Sequence, residues 1–154
     1  MAYLDVIPLA DAKLYLRIDD DLTEDDNQIT RMINGALSYI ERYTNIMLFA
    51  RDKEYRLIDG FVRVYDYPIN SEITADLVVE NKTLYTNYCL GTSNDLIELN
   101  VGYTLTDDVP KELIEVAYEM IELMYYEKET NKSHLNNVSS LSMMVLNNYK
   151  RFII

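Results

Sequence analysis

The densest group of side chains that could carry out chemistry is a run of carboxylates near the N-terminus. It comprises Asp19, Asp20, Asp21, Glu24, Asp25 and Asp26. Calcium prefers oxygen ligands of this kind, but a helix–loop–helix calcium site needs glycine at its sixth position and a distant bidentate glutamate. The sixth position counted from Asp19 is Glu24, so the pattern does not match. We therefore predict a solvated acidic loop that leads into a helix, with no metal and no cofactor.

Other residue types that support catalysis are sparse. The only histidine, His134, lies in a predicted polar linker without a second histidine for a metal site or a catalytic triad. The single cysteine, Cys89, is interpreted as a core thiol, and the four glycines are scattered too widely for a phosphate-binding loop. The sequence predicts no enzyme. A hydrolase with paired carboxylates stays an alternative that requires a pocket holding a strongly perturbed Asp or Glu.

Composition narrows the class of protein further. The chain has 154 residues, of which 49% are hydrophobic, and this is enough for one domain with a substantial core. A net charge of −12 argues against binding to nucleic-acid phosphates, which needs a basic surface. The single cysteine indicates a reducing compartment, and no run of apolar residues is long enough to span a membrane. We expect synthesis in a cytosol.

Two long amphipathic helices are predicted to position these residues. Residues 23–44 form the first, with Thr23 as its N-cap. A short helix at residues 7–16 precedes it, and the two are predicted to form a helical hairpin. Its apolar stripe is Ile29, Met32, Ile33, Ala36, Leu37, Ile40 and Tyr43, and its predicted exposed face is Arg31, Asn34, Ser38, Glu41 and Arg42. The other long helix covers residues 110–129, with the stripe Leu113, Val116, Ala117, Met120, Ile121 and Met124.

The middle third of the chain has the two-residue period of β-strands. Asp59-Gly60 is a strong hairpin signal between residues 54–58 and 61–65. Residues 75–80 and 84–90 are predicted strands around a turn at Asn81-Lys82, and residues 96–103 place Ile97, Leu99 and Val101 on one face. The predicted fold is α+β: a helical hairpin and a long helix in the C-terminal half pack together, and a small antiparallel β unit is inserted between the long helices.

The C-terminal residues are apolar and basic on an otherwise acidic chain. Residues 141–154 begin as a helix and end in the sequence YKRFII. We divide the chain into one α+β domain at residues 1–140, with a β-rich insertion at about residues 46–107, and a docking segment at residues 141–154. The predicted docking residues are Leu141, Met144, Val145, Tyr149, Lys150, Arg151, Phe152 and Ile153.

Taken in order, these segments resemble the head–tail connector proteins of tailed bacteriophages, also called adaptor or head-completion proteins. The resemblance lies in the sequence LADAKLYLRID at residues 9–19, followed by DDNQI at residues 25–29 and ERYT at residues 41–44. Further matches are VGY at residues 101–103, Val109-Pro110 with the helix that follows, and LNNYKR at residues 146–151. The insertion at residues 45–101 is longer than expected for the smaller members of this family.

The resemblance implies a structural virion protein. It implies a homo-oligomeric ring of about twelve copies beneath the portal protein, in contact with tail or neck proteins. Such a ring lies in the neck of the virion, completes the head and extends the DNA channel, through which DNA passes without specific binding. The protein is expected to be made in the host bacterial cytoplasm, without a membrane partner. The acidic residues 19–26 are then candidates for lining the channel.

An acidic protein-binding module is the alternative function. A protein of this charge could mimic DNA or inhibit a basic partner. This alternative requires carboxylates arrayed at phosphate-like spacing on one face and a discrete complex with a basic protein.

Overall fold

The computed structural model describes residues 2–70, 78–83, 86–90, 96–126 and 138–151. Its helices are α1 (Tyr3–Val6), α2 (Leu9–Tyr15), α3 (Asp26–Thr44), α4 (Lys111–Tyr126) and α5 (Ser140–Tyr149). Its strands are β1 (Arg51–Arg56), β2 (Phe61–Val64), β3 (Val78–Thr83), β4 (Thr86–Leu90) and β5 (Leu96–Val101). The α+β class and the insertion of the strands between the two long helices are confirmed. Part of the predicted linker, with His134, and Phe152 and Ile153 lie outside the described residues, and the side chain of Cys89 is not described.

The main core lies between α3 and α4. The predicted stripes of both helices are buried there, with Met32, Tyr43 and Met124 half-buried at the margin. Ala12 and Leu16 close this core from the α2 side, and Leu146 of α5 enters it from the other. The apolar period therefore identified both helices correctly, because burial of a stripe along a long helix depends on local spacing.

Two details of α3 differ from the prediction. The helix begins at Asp26 rather than at Thr23, and its N-cap, Asp25, makes no hydrogen bond to the helix with its side chain. Instead, the Asp25 carboxylate accepts a hydrogen bond from the Tyr125 hydroxyl at 2.8 Å. Glu41 was expected on the exposed face, but it is 3% exposed. The predicted cap at Thr23 is therefore wrong, because α3 begins at Asp26. The predicted exposure of Glu41 is also wrong, because its carboxylate accepts hydrogen bonds from Tyr3, Leu48 and Arg51.

The strands form two antiparallel sheets. β1 pairs with β5, while β4 lies between β2 and β3. Asp59 and Gly60 form the predicted tight turn, with φ angles of 52° and 76° and reciprocal backbone hydrogen bonds between Ile58 and Phe61. The hairpin does not extend beyond this turn, because β1 and β2 belong to different sheets. The predicted turn at Asn81-Lys82 is also wrong, since both residues lie within β3.

The chain leaving α3 and the chain leaving β5 meet at the boundary between the helices and the β unit. Asn45 ends α3 in the left-handed conformation, and the Met47 N–H donates to the Tyr67 carbonyl at 2.8 Å. The Gly102 N–H donates to the Pro68 carbonyl at 2.8 Å. A second core lies beyond this boundary: Met47, Leu57, Val64, Ile97, Leu99 and Val101. The predicted alternation of β5 is confirmed, because its three inward residues are all buried in this core.

Candidate docking and channel surfaces

The acidic run forms an exposed loop between α2 and α3. Asp19, Asp20, Asp21 and Glu24 are exposed, whereas Asp25 and Asp26 are half-buried. The loop therefore has four solvent-exposed carboxylates on its outer side and two carboxylates on its inner side that contact the rest of the domain. The loop presents negative charge to solvent, as expected, and Asp25 and Asp26 at its inner end contact other parts of the domain.

A buried lysine holds this loop in place. Lys13 is only 3% exposed, and its Nζ donates to the carbonyl oxygens of Asp20 and Leu22 at 2.8 Å each. The same Nζ lies 3.0 Å from Oδ1 of Asp26. Sequence reasoning missed this residue. The sequence did contain a signal for its burial, because Lys13 lies on the same side of α2 as the apolar residues Ala12 and Leu16.

Replacement of this lysine is expected to loosen the loop. Lys13→Met retains the aliphatic stem but leaves two carbonyls and the Asp26 carboxylate without their donor, which should lower the free energy of unfolding by about 1–3 kcal/mol. Denaturant unfolding and hydrogen exchange of residues 18–25 would measure this effect. Lys111→Met, at an exposed lysine, is the control and should change stability little. Equal behaviour of the two variants would contradict the bridging role of Lys13.

Helix α5 has one face buried and one exposed. Leu146 is fully buried, and Ser142 is buried beside α4. Leu141 and Met144 are 69% and 60% exposed, and Val145 is half-buried between the two faces. The predicted docking residues at the start of the segment therefore lie on the surface. Because Leu141 and Met144 lie three residues apart, their exposed side chains are neighbours on the surface of α5.

The start of α5 is anchored to α4 by a carboxylate. Ser139 caps the helix, because its Oγ accepts a hydrogen bond from the Ser142 N–H at 3.1 Å. Glu119 of α4 accepts from the Ser139 N–H at 2.7 Å and from the hydroxyls of Ser139 and Ser142. These contacts give the exposed face of α5 a defined orientation, which a docking surface needs.

The end of the described segment folds back on its own subunit. The Arg151 N–H donates to the Thr44 carbonyl at 3.0 Å, and the Asn45 side-chain amide donates to the Arg151 carbonyl at 3.1 Å. The guanidinium lies 4.2 Å from the ring centre of Tyr67, and burial lowers the pKa of Arg151. Arg151 is thus buried at the C-terminal end of α3, where a cation is favourable to the helix dipole.

Tyr149 and Lys150 also contact this subunit. The Tyr149 hydroxyl donates to Glu112 at 3.2 Å, and Lys150 Nζ lies 4.7 Å from the ring centre of Tyr43. The predicted docking set therefore divides into exposed residues at the start of α5 and residues at its end that pack on α3 and α4. The helix itself packs onto the core of the domain that precedes it.

Several tyrosines carry hydroxyls that pack against carboxylates. Burial, and then the hydrogen bond to Glu41 at 2.6 Å, raises the pKa of Tyr3. The hydrogen bond to Asp25 is the main cause of the raised pKa of Tyr125. The pKa is also raised for Tyr15, Tyr103, Tyr118 and Tyr149, in each case chiefly by burial. These contacts require the neutral phenol.

The raised tyrosine pKa values predict a loss of stability in alkali. In the unfolded chain these phenols titrate near pH 10, so their contribution is fully present below about pH 10 and is lost as the pH rises through the higher folded values. Absorbance at 295 nm should show part of the tyrosine titration delayed above pH 10, with unfolding in the same range. Tyr3→Phe should remove one delayed phenol. Titration of every tyrosine at the ordinary value in the folded protein would contradict this prediction.

The described residues contain neither a metal-binding cluster nor a membrane-spanning helix. No group of three or more His, Cys, Asp or Glu side chains within the described ranges is placed to hold a metal ion. None of the helices described here is both long enough and apolar enough to cross a membrane. What the fold presents instead is an anchored acidic loop and an oriented, partly apolar helix face.

Comparison with known proteins identifies the family. The model of the phage gp6-like head–tail connector protein family matches residues 6–84, which is just over half of the chain. The chain therefore belongs to this family, and the resemblance noted in the sequence is confirmed. The family consists of structural connectors of phage virions, which are not known as enzymes. A comparison with curated proteins finds no match.

Solved structures share the fold. A chain in the neck of an empty gene transfer agent particle, computed with C6 symmetry, has a TM-score of 0.73 and 14% sequence identity. The alignment covers 100% of this chain and 94% of that one. A chain in the virion of a native gene transfer agent particle also has a TM-score of 0.73 at 14% identity, with coverage of 97% and 91%. The described architecture, including the inserted β unit, thus occurs in other proteins.

Proposed function

We propose that this protein is a neck component that forms a ring between the portal and the tail, completes the head and extends the DNA channel. The family match over residues 6–84 is the observation that carries this proposal. The fold shared with a neck chain of a gene transfer agent particle is consistent with it. Under this proposal the protein is made in the host bacterial cytoplasm and joins the virion during assembly, without a membrane partner.

The proposed ring contains twelve copies, and a chain of similar fold occurs in a neck structure computed with C12 symmetry. A ring requires heterologous contacts, in which one face of a subunit meets a different face of the next. The helices of this fold provide such faces because each buries only one side. The two sheets, which lie between α3 and α4 in the sequence, add a second core to the subunit.

The acidic loop is proposed to face the channel. Its outer carboxylates, Asp19, Asp20, Asp21 and Glu24, are exposed, while Asp25 and Asp26 contact Tyr125 and Lys13. A channel must let DNA slide rather than bind its phosphates, and fixed negative charge repels the DNA backbone. Each copy adds a net charge of −12 to the assembly. DNA then passes without specific binding.

The C-terminal segment is proposed to dock on the portal or on a neighbouring neck or tail protein. Leu141 and Met144 give it an exposed apolar face, with Val145 beside them. Tyr149, Lys150 and Arg151 hold the end of the described segment against α3 and α4. An apolar helix face of this kind fits a groove on a partner protein.

Charged substitutions on the exposed face of α5 would test the docking proposal. Leu141→Asp with Met144→Asp should leave the fold intact, because both side chains are exposed, but should reduce attachment to portal-bearing heads at least tenfold, by about 1.4 kcal/mol or more. Attachment would be measured by electron microscopy and protein content of purified particles. Leu14→Asp, on exposed Leu14 of α2, is the control. Normal attachment of the folded double variant would contradict docking through this face.

A further inference from the structure

The outward side of α3 differs in charge from the rest of the chain. Arg31, Gly35, Ser38 and Arg42 recur at steps of four, three and four residues on the side of α3 away from the buried stripe, with Ser38 half-buried beside Tyr3 at the edge of this side. We call these four residues the α3 outer face. Arg31 and Arg42 are exposed, and no carboxylate of a described residue makes an ion pair with either one. No exposed acidic residue lies on α3, although the chain carries a net charge of −12.

Gly35 lies in the middle of this face, next to open space. A Cβ added at Gly35 would meet nothing within 4 Å. Glycine within a helix lowers its stability relative to alanine, so the subunit alone would be better served by a side chain. The missing side chain leaves a shallow depression between the two arginines. Such a depression allows another helix to approach closely.

The outward side of α4 has the complementary charge. Glu115 and Glu122 lie seven residues apart, opposite the buried stripe of α4, and both are exposed. We call these two residues the α4 outer face. Tyr15 stacks on Tyr118 at 4.8 Å and adds an aromatic border beside them. Because α3 and α4 bury their stripes in one shared core, their outer faces point away from each other. The two faces of one subunit therefore cannot meet.

We propose that the α3 outer face of one copy docks on the α4 outer face of the next copy, with Arg31 and Arg42 paired to Glu115 and Glu122. The inference rests on the proposed ring and assigns its side-to-side contact. Two different faces on opposite sides of a subunit satisfy the requirement for a heterologous, ring-closing interface. The opposite charges orient the subunits, and the contact weakens as salt rises.

Charge reversal tests this contact in the full-length chain. Arg31→Glu with Arg42→Glu, and Glu115→Arg with Glu122→Arg, should each raise the protein concentration needed for ring formation at least about tenfold. The chain with all four substitutions should recover assembly. Sedimentation velocity and electron microscopy at low ionic strength would measure the rings. Arg17→Glu with Arg56→Glu changes two exposed arginines elsewhere by the same charge and should assemble normally.

Cross-linking gives an independent measurement. In a chain carrying Arg31→Lys and Arg42→Lys, carbodiimide should couple these amines to Glu115 or Glu122 of another copy, identified by mass spectrometry of mixed isotope-labelled chains. Rings that form normally after both charge reversals would overturn this contact and leave the ring itself standing. A wild-type chain that forms no ring in solution or on particles would overturn the proposed ring together with the contact. Reduced DNA binding with unchanged rings would assign the arginines to nucleic acid.

Discussion

Gly102→Ala is expected to prevent stable folding. Gly102 has a φ of +110°, a conformation that residues with a side chain rarely adopt. A Cβ at this position would lie 2.1 Å from the Phe49 carbonyl oxygen and 2.5 Å from its carbon, both of which are backbone atoms. Backbone strain alone costs about 1–3 kcal/mol, and the clash adds to it, so we expect a loss above about 4 kcal/mol. That is a large part of the stability of a typical domain.

The location of Gly102 explains the size of this effect. Gly102 follows β5, and its N–H donates to the Pro68 carbonyl, so it lies where the β unit joins the helices. Circular dichroism and thermal unfolding of purified protein would measure the loss. Gly35→Ala is the matched control, because its added Cβ meets open space. This substitution should raise the free energy of unfolding by about 0.5–1 kcal/mol. A Gly102→Ala protein with the same melting temperature as the wild type would contradict the described packing of Gly102 against the Phe49 backbone.

Glu41→Ala is expected to produce the second largest effect. One carboxylate oxygen of Glu41 accepts from the Leu48 N–H at 2.8 Å, and the other accepts from the Tyr3 hydroxyl at 2.6 Å and from Arg51 Nη2 at 2.5 Å. Burial by itself lowers the pKa of Arg51, but the hydrogen bond and charge of Glu41 outweigh it and raise the pKa. The buried carboxylate thus joins α1, the segment after α3 and β1.

Removal of Glu41 leaves a buried N–H and a half-buried guanidinium without their acceptor. We expect the free energy of unfolding to fall by about 2–4 kcal/mol. The loss is smaller than for a fully buried ion pair, because Arg51 remains partly solvated. Glu41→Gln keeps the shape and should lose about half as much. Arg42→Ala, at the adjacent exposed residue, should change stability by less than about 0.5 kcal/mol in denaturant unfolding. A Glu41→Ala protein as stable as Arg42→Ala would contradict the bridging role of this carboxylate.

Elements governed by local chemistry were predictable from the sequence. The apolar stripes of α3 and α4 follow the helical period, and their burial depends only on which side of the helix meets the core. The alternation of Ile97, Leu99 and Val101 and the turn at Asp59-Gly60 have the same local origin. The α+β class followed from the order of these elements along the chain, and the resemblance to head–tail connectors followed from short motifs such as those at residues 9–19, 25–29 and 41–44.

Only the tertiary structure decided which polar side chains are buried and which strands are paired. Lys13, Glu41 and Arg151 are buried although they are charged: Lys13 and Glu41 bond to groups in the segments that follow their helices, and Arg151 bonds to Thr44. β1 pairs with β5 rather than with β2, and α5 turns Leu146 inward while Leu141 stays exposed. Local spacing determines which side of an element is apolar. Contacts between different segments of the chain decide what that side packs against, and their hydrogen bonds offset the desolvation of the buried polar groups.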